Sequence, residues 1–204
     1  PDGTWEALQK LSAASERLSA LRLPRNAGKG EAVRQGMLWA LANVPAACLG
    51  YADADLAAPL EELWRLRGLL LEAPGTQAVM GARVMRLGAH IRRRAWRHYA
   101  GRAFATYADA LLGLGAYDTQ CGAKVFRPEA AAALFAGPFR TRWLFDLEWL
   151  LRAKARQWPV REEPLMHWEE KGQSKLRWTD AAQALAEVWR LSRFFDKSSK
   201  KTLL

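Results

Sequence analysis

Residues 47–59 read ACLGYADADLAAP, an apolar run that ends in two aspartates one residue apart, Asp53 and Asp55. In an extended chain residues i and i+2 project to the same side, so both carboxylates can face one point. Unpaired, they would repel and raise one another's pKa. A divalent cation removes that penalty. Mg²⁺ or Mn²⁺ takes hard oxygen ligands and completes its shell with waters and substrate phosphates, so the pair is a candidate holder of a diphosphate. The same pattern suits one aspartate capping the next helix while the other is solvated. Spacing alone leaves both readings open.

Two further stretches favour anions. In NAGKGEAVRQG, residues 26–36, Gly28 and Gly30 flank Lys29 just ahead of a helical pattern. Free backbone N–H groups and the positive end of the helix dipole attract phosphate there, and the lysine adds charge. It is not a Walker loop, and a simple turn would look the same. Residues 81–102 carry Arg83, Arg86, Arg92, Arg93, Arg94, Arg97 and Arg102, interleaved with Trp96, His98 and Tyr99. Such a cluster can grip a phosphate through paired N–H groups, lie on anionic lipid, bind nucleic acid or be a solvated face. His90, His98 and His167 lack metal-ligand spacing. Cys121, between Gln120 and Gly122, reads as a small buried residue rather than a nucleophile.

The elements that must hold these residues are set by periodicity. Helices are predicted at 4–19 with Thr4 as N-cap, 31–43, 60–71, 94–112, near 128–135, 145–157 and 176–195. Strands are predicted at 20–23, 46–52, 77–84, within 117–128 and at 159–168. Strand and helix alternate through the first half, which predicts an α/β fold on a mostly parallel sheet with its ligand at the carboxyl ends of the strands. No linker divides the chain, so residues 1–204 are expected to form a single domain, with 176–204 an amphipathic helix and basic tail.

Composition narrows the partners. The 204 residues carry 31 Lys and Arg against 21 Asp and Glu, a net charge of +10. That predicts an anionic partner: nucleic acid, phospholipid or a phosphorylated small molecule. Ten tryptophans, several beside arginines, suit either a membrane–water boundary or ordinary rim packing. Two cysteines make neither a disulfide framework nor a zinc site, and they suit a reducing compartment. No run of about 20 apolar residues is present to span a bilayer.

Taken together, NAGKGEAVRQG, ADADLAAP, MGARV, DTQCGAKVF, FDLEWLLRA and HWEEKGQSKL occur in an order and at distances that resemble the inverting family 2 GT-A glycosyltransferases that load a sugar onto a polyprenyl phosphate. The dolichyl-phosphate β-glucosyltransferase branch is the most similar, and the dolichyl-phosphate mannosyltransferases are more distant. The resemblance implies a GT-A three-layer α/β/α sandwich and transfer of a hexose, glucose from UDP-glucose, to a polyprenyl or dolichyl phosphate. It implies that Asp53 and Asp55 bind Mg²⁺ or Mn²⁺ and that Lys29, Ala54 and Lys175 lie at the donor. Arg83 and Asp118 would be catalytic, and Arg83, Arg94, Gln120, Asp146 and Glu148 would line the acceptor side. Glu169 stands where the mannosyltransferases carry an arginine, which argues against a mannose donor. A lipid acceptor implies a peripheral protein on the cytoplasmic face of the membrane, with no nucleic acid as partner. The PDGT at the start resembles the residues just after the DDGS segment of this family, so the first two strands of the sheet are expected to be missing from the chain. A non-catalytic remnant and a basic nucleic-acid-binding module are the alternatives.

Overall fold

The computed structural model describes residues 3–171 and 178–201. In chain order the elements are α1 (Thr4–Ala13), α2 (Lys29–Asn43), β1 (Leu49–Ala52), α3 (Leu60–Glu72), β2 (Ala78–Ala82), β3 (His90–Arg92), α4 (Ala95–Leu112), β4 (Ala123–Phe126), α5 (Pro128–Phe135), α6 (Phe145–Ala155), β5 (Val160–Pro164), β6 (His167–Glu169) and α7 (Trp178–Lys201). The predicted helices recur with small shifts, except that α1 stops at Ala13 and Gly3, at φ 72°, holds the N-cap position in place of Thr4. The strand expected at 20–23 is absent: Leu21 is exposed and the segment pairs with no described strand. The strand expected at 159–168 is split in two, and β6 leaves for a second small sheet with β3.

The main sheet has the order β1-β4-β2-β5. It is not mostly parallel. β4 runs antiparallel to both β1 and β2, and only β2–β5 is a parallel pair. The reason is visible in the connection from β2 to β4. It starts at Arg83 and returns to Asp118, and the two side chains are bound to each other. A connection whose ends meet at one edge of the sheet delivers the next strand in the opposite direction. The carboxyl ends of β1 and β2 and the start of β4 therefore lie together.

Alternation along the strands sorts the core into layers. Phe126 faces Met37, Leu134, Phe135, Phe145 and Trp149 of α2, α5 and α6. Val125, Ala123 and Val79 face Leu66 and Leu70 of α3, with Leu165 and Trp168. This is the expected α/β/α sandwich. The last helix joins a third cluster, in which Val188 and Leu191 of α7 pack on Ala108 and Leu112 of α4 and Leu147 and Leu151 of α6. The apolar faces of α4 and α7 thus cover each other. Their outer faces still carry exposed Trp96, Tyr99, Trp189 and Phe194. Among the described residues no helix is long and apolar enough to cross a membrane.

Candidate functional site

Asp53 directly follows β1, and its N–H donates to the Gly122 carbonyl at 3.0 Å, continuing the β1–β4 ladder by one step. The chain then turns. The Leu56 N–H donates back to the Asp53 carbonyl at 3.0 Å, and Leu56 takes a left-handed φ of 49°. A branched residue rarely accepts that conformation, so the turn is held by its surroundings. Asp55 Oδ1 accepts the Ala57 N–H at 3.0 Å, and the Ala57 carbonyl accepts the N–H of Glu169 at the end of β6 at 2.9 Å. The two aspartates therefore converge through a braced turn and not through an extended strand. Both line one cleft of about 330 Å³, together with Arg83, Arg93, Arg97, Gly122 and Trp168.

Gly122 makes room for the first aspartate. A Cβ at that position would lie 2.2 Å from the Asp53 carboxyl carbon and 2.2 Å from Oδ2. On the other side, Lys29 opens α2 and places its ammonium 2.6 Å from Asp53 Oδ1. That oxygen is buried and accepts no hydrogen bond in proper geometry. The helix start is fixed by two close approaches. Gly28 (φ 93°) lies under the Arg142 side chain, and a Cβ on Gly30 would meet Phe145 Cβ at 2.9 Å. The glycines of NAGKGEAVRQG thus seat the helix against the loop before α6, and the lysine faces the aspartate turn.

Arg83 follows β2. Its guanidinium forks onto Asp118, with Nε to Oδ2 at 2.6 Å and Nη2 to Oδ1 at 2.7 Å, and its own N–H donates to Oδ2 at 3.0 Å. Trp168 lies against its face, 5.3 Å from ring centroid to guanidinium carbon. Burial alone would raise the Asp118 pKa, but the hydrogen bonds and charge of Arg83 outweigh it and hold the carboxyl below its usual range. Burial opposes the charge on Arg83, and Asp118 more than restores it. Glu162 of β5 accepts the N–H groups of Tyr117 and Asp118 at 2.7 and 2.6 Å, which anchors the carboxylate's backbone. Asp118 is thereby a clamp that positions Arg83, while the free N–H groups of the guanidinium remain for the cleft.

The arginine-rich stretch is resolved by strand parity. Ile91, paired with Trp168, faces the core cluster of α3. Arg93, two residues on, turns the same way into the cleft, whereas the side chains of Arg92 and Arg94 are 80% and 57% exposed. Arg97, in the first turn of α4, pairs closely with Glu170, and the Arg94 N–H donates to Glu170 Oε2 at 3.1 Å. Arg94 itself lies in a neighbouring groove of about 430 Å³ with Ile91, Arg92, Arg93, Glu169 and Glu170. Arg93 belongs to both hollows.

Asp146 and Glu148 do not line the cleft. Asp146 is buried on α6, where it holds Lys124 at 3.0 Å and accepts Trp149 Nε1–H at 3.3 Å and the Tyr51 hydroxyl. Glu148 is buried and accepts the N–H of Arg140 at 2.9 Å and the N–H and hydroxyl of Thr141, each at 2.7 Å. Both serve packing beneath the site. Gln120 is half-buried beside Thr119, and Ala54 lies exposed in the aspartate turn. Lys175 lies outside the described residues. Cys121 is fully buried, and burial pushes its thiol up to about 11, which makes it inert. Sequence reasoning missed Gly122, Trp168 and Glu170 as cleft residues and did not separate Arg93 and Arg97 from their neighbours.

The donor set fits a hard divalent cation. Such an ion needs one or two carboxylates when substrate phosphates complete its shell. Asp53 and Asp55 offer two, and Asp53 Oδ1 is a buried oxygen that meets the Lys29 ammonium as a close charge contact but accepts no well-aligned hydrogen bond. Among the described residues no group of three or more histidine, cysteine or acidic side chains could form an all-protein cage.

Residues 1–135 match the family described as glycosyl transferase family 2. A dolichyl-phosphate beta-glucosyltransferase, ALG5C, of Trichomonas vaginalis is 31% identical over 198 residues, which are 95% of this chain and 57% of that protein. The dolichyl-phosphate beta-glucosyltransferase of Mus musculus is 34% identical over 167 residues, 79% of this chain and 50% of its own length. The polyprenol monophosphomannose synthase of Mycolicibacterium smegmatis is 28% identical over 199 residues, 92% of this chain and 71% of its own. The chain spans little more than half the length of the glucosyltransferases it matches. Glucosyl-3-phosphoglycerate synthase from Mycobacterium tuberculosis, solved with Mn²⁺ and UDP-glucose, superimposes with a TM-score of 0.59 over 84% of this chain and 56% of that chain, at 20% identity. The shared fold is GT-A.

Proposed function

We propose, from the premise that the chain belongs to glycosyl transferase family 2, that it carries the catalytic cleft of an inverting glycosyltransferase moving a hexose from a nucleoside diphosphate sugar to a polyprenyl phosphate. The observation that carries this is one cleft with two poles. The Asp53–Asp55 turn and Lys29 stand at one, and Arg83, Arg93 and Arg97 stand at the other. Carboxylates beside a lysine suit a metal-bound diphosphate, and a cluster of guanidinium groups suits a second phosphate. The relatives named for dolichyl phosphate and the neighbour solved with UDP-glucose and Mn²⁺ support UDP-glucose as donor and a membrane lipid as acceptor.

In this reading Asp53 and Asp55 hold Mg²⁺ or Mn²⁺, which when bound supplies positive charge to the departing diphosphate. Lys29 leans from the start of α2 over the same phosphates and shares that task. Arg83, locked by Asp118 and backed by Trp168, holds the acceptor phosphate in line with the anomeric carbon. An acceptor oxygen forms the bond to that carbon from the face opposite the diphosphate, the carbon–oxygen bond to the diphosphate breaks, and its electron pair leaves on the diphosphate. The configuration inverts. A phosphate monoester has its second pKa near ~6, so the nucleophile is already anionic at neutral pH and needs no general base. The absence of a histidine or an unengaged carboxylate at the arginine pole among the described residues suits such a step. The exposed aromatic side chains of α4 and α7 and the surplus of arginine suit a seat on the cytoplasmic face of a bilayer.

The test is transfer of labelled glucose from UDP-glucose to polyprenyl phosphate by the full-length protein with Mn²⁺ or Mg²⁺. Asp53→Ala and Asp55→Ala are each expected to lower turnover by at least about a hundredfold, the scale of one lost electrostatic contact to the leaving charge. Undiminished turnover in either variant would refute the assignment of the carboxylate pole. Salt-sensitive binding of nucleic acid that survives both substitutions would favour a different class of protein.

A further inference from the structure

The segment that joins the two poles of the cleft is a buried loop. Asp118, which clamps Arg83, stands at one end, and Gly122, which makes room for Asp53, stands at the other. Asp118, Thr119 and Cys121 are all buried. Loops usually keep to the surface, because a buried one must find partners for its backbone N–H and carbonyl groups. This loop finds them in charged side chains. At the Asp118 end, Glu162 accepts the N–H groups of Tyr117 and Asp118, and Arg102 Nη1 donates to the Tyr117 carbonyl at 2.6 Å. At the Gly122 end, the Lys124 ammonium donates to the Cys121 carbonyl.

Lys124 lies in β4, opposite Tyr51 of β1 and Met80 of β2, and is fully buried. A buried ammonium is costly unless it is paired and hydrogen-bonded. Asp146 pairs with it at 3.0 Å, and the Tyr51 hydroxyl donates to the same carboxylate. Burial first, then the negative charges of Asp146 and Asp53, push the Tyr51 hydroxyl well above its usual range, so it stays a donor. Stability alone does not account for this arrangement, because apolar residues of similar volume often replace a buried ion pair without loss. What the ammonium adds is the bond to the Cys121 carbonyl. That carbonyl belongs to the peptide joining Cys121 to Gly122. The Gly122 carbonyl in turn accepts the Asp53 N–H at 3.0 Å, and the Asp53 carboxyl fills the space where a Gly122 Cβ would stand. The peptide that Lys124 holds is the floor beneath Asp53.

We propose that Lys124 is a positioning residue for the donor end of the cleft: through the Cys121–Gly122 peptide it sets where Asp53 aims, while Asp146 and Tyr51 keep its charge in the core. The proposal rests on the reading of Asp53 as a holder of a metal-bound diphosphate, and it gives Lys124 no contact with substrate. The Asp118 end of the loop has its own anchors in Glu162 and Arg102, so the two ends can be told apart by experiment.

The experiment is calorimetric titration of the full-length protein with UDP in the presence of Mn²⁺, and separately with farnesyl phosphate, beside urea unfolding of each variant. It compares the native protein with Asp146→Asn and with the double variant Lys124→Met, Asp146→Asn. Asp146→Asn strips the counter-charge but keeps the bond from Lys124 to the Cys121 carbonyl. It is expected to lower the urea midpoint while UDP affinity stays within about twofold. The double variant removes both charges and that bond. It is expected to weaken Mn²⁺-dependent UDP binding about tenfold or more, the scale of one charge-assisted contact, while farnesyl phosphate stays within about twofold. A merely structural lysine would make donor affinity follow stability, whereas here it follows Lys124. Native UDP affinity in the double variant, or an equal loss in Asp146→Asn or for farnesyl phosphate, would overturn the proposal while leaving the metal–diphosphate reading in place. A native protein that takes up no UDP with Mn²⁺ would overturn that reading, and this proposal with it.

Discussion

Replacing Gly122 by alanine isolates the geometry of the first aspartate. The added methyl would sit 2.2 Å from Asp53 Cγ, 2.2 Å from Oδ2 and 2.7 Å from Oδ1. Non-bonded carbon contacts begin to be comfortable near about 3.5 Å, so the carboxylate must retreat by roughly 1 Å or swing to another rotamer. Gly122 does not use a positive φ, so alanine adds no backbone strain of its own. The Asp53 N–H bond to the Gly122 carbonyl is a main-chain contact and survives the substitution. The damage is therefore confined to where Asp53 aims, including its 2.6 Å approach to Lys29. A misplacement of about 1 Å at a reacting centre costs about a hundredfold in rate, which is about 2.7 kcal/mol of transition-state stabilisation. The assay is glucose transfer by the full-length protein, read beside Mn²⁺-dependent uptake of UDP by calorimetry and beside thermal unfolding. Both turnover and metal-dependent UDP binding are expected to fall, with the melting temperature almost unmoved. Native turnover in Gly122→Ala would refute the role given to Asp53. A collapse of the melting temperature would refute the claim that the clash is local.

Two further outcomes test the supports of the site. Asp118 is held below the ordinary aspartate value of 3.8 in the fold, so its contribution to stability is complete above that pH and is lost as pH falls through the lowered folded value. Asp118→Asn is expected to flatten that acid arm of stability against pH and to destabilise the protein by about 3–5 kcal/mol at neutral pH, because it leaves Arg83 buried and half-paired. Lys124 is fully buried on Asp146, so Lys124→Met is expected to cost about 3–5 kcal/mol in urea unfolding, part of which Asp146→Asn should recover by removing the stranded charge.

Much of the site was legible because its chemistry is local. Asp53, Asp55 and Lys29 sit in short segments whose glycines and alternating acids announce a turn or a helix start, and the structure brings all three together. The direction of β4 was not legible, because it depends on Arg83 meeting Asp118, a long-range ion pair with no local trace. Asp146 and Glu148 misled for a related reason. The family resemblance placed these acids on the acceptor side, yet here they satisfy a buried lysine, a buried indole and a loop backbone.

Three arginines in a row pose a different problem, since composition cannot tell which of them faces inward. Parity decides it once a single neighbour is anchored. Ile91 pairs with Trp168 in the β3–β6 ladder and is half-buried, so position 93 follows it inward while 92 and 94 face solvent. That alternation was present in the sequence, but it became usable only with β3, which a basic loop had concealed. The same parity sorts the acids of the second sheet. Glu169 is paired across the ladder with outward Arg92, and Glu170, one residue on, turns in to hold Arg97. Two consecutive glutamates thus serve opposite faces of the little sheet, and the charge of the inward one also favours the Arg93 cation beside it.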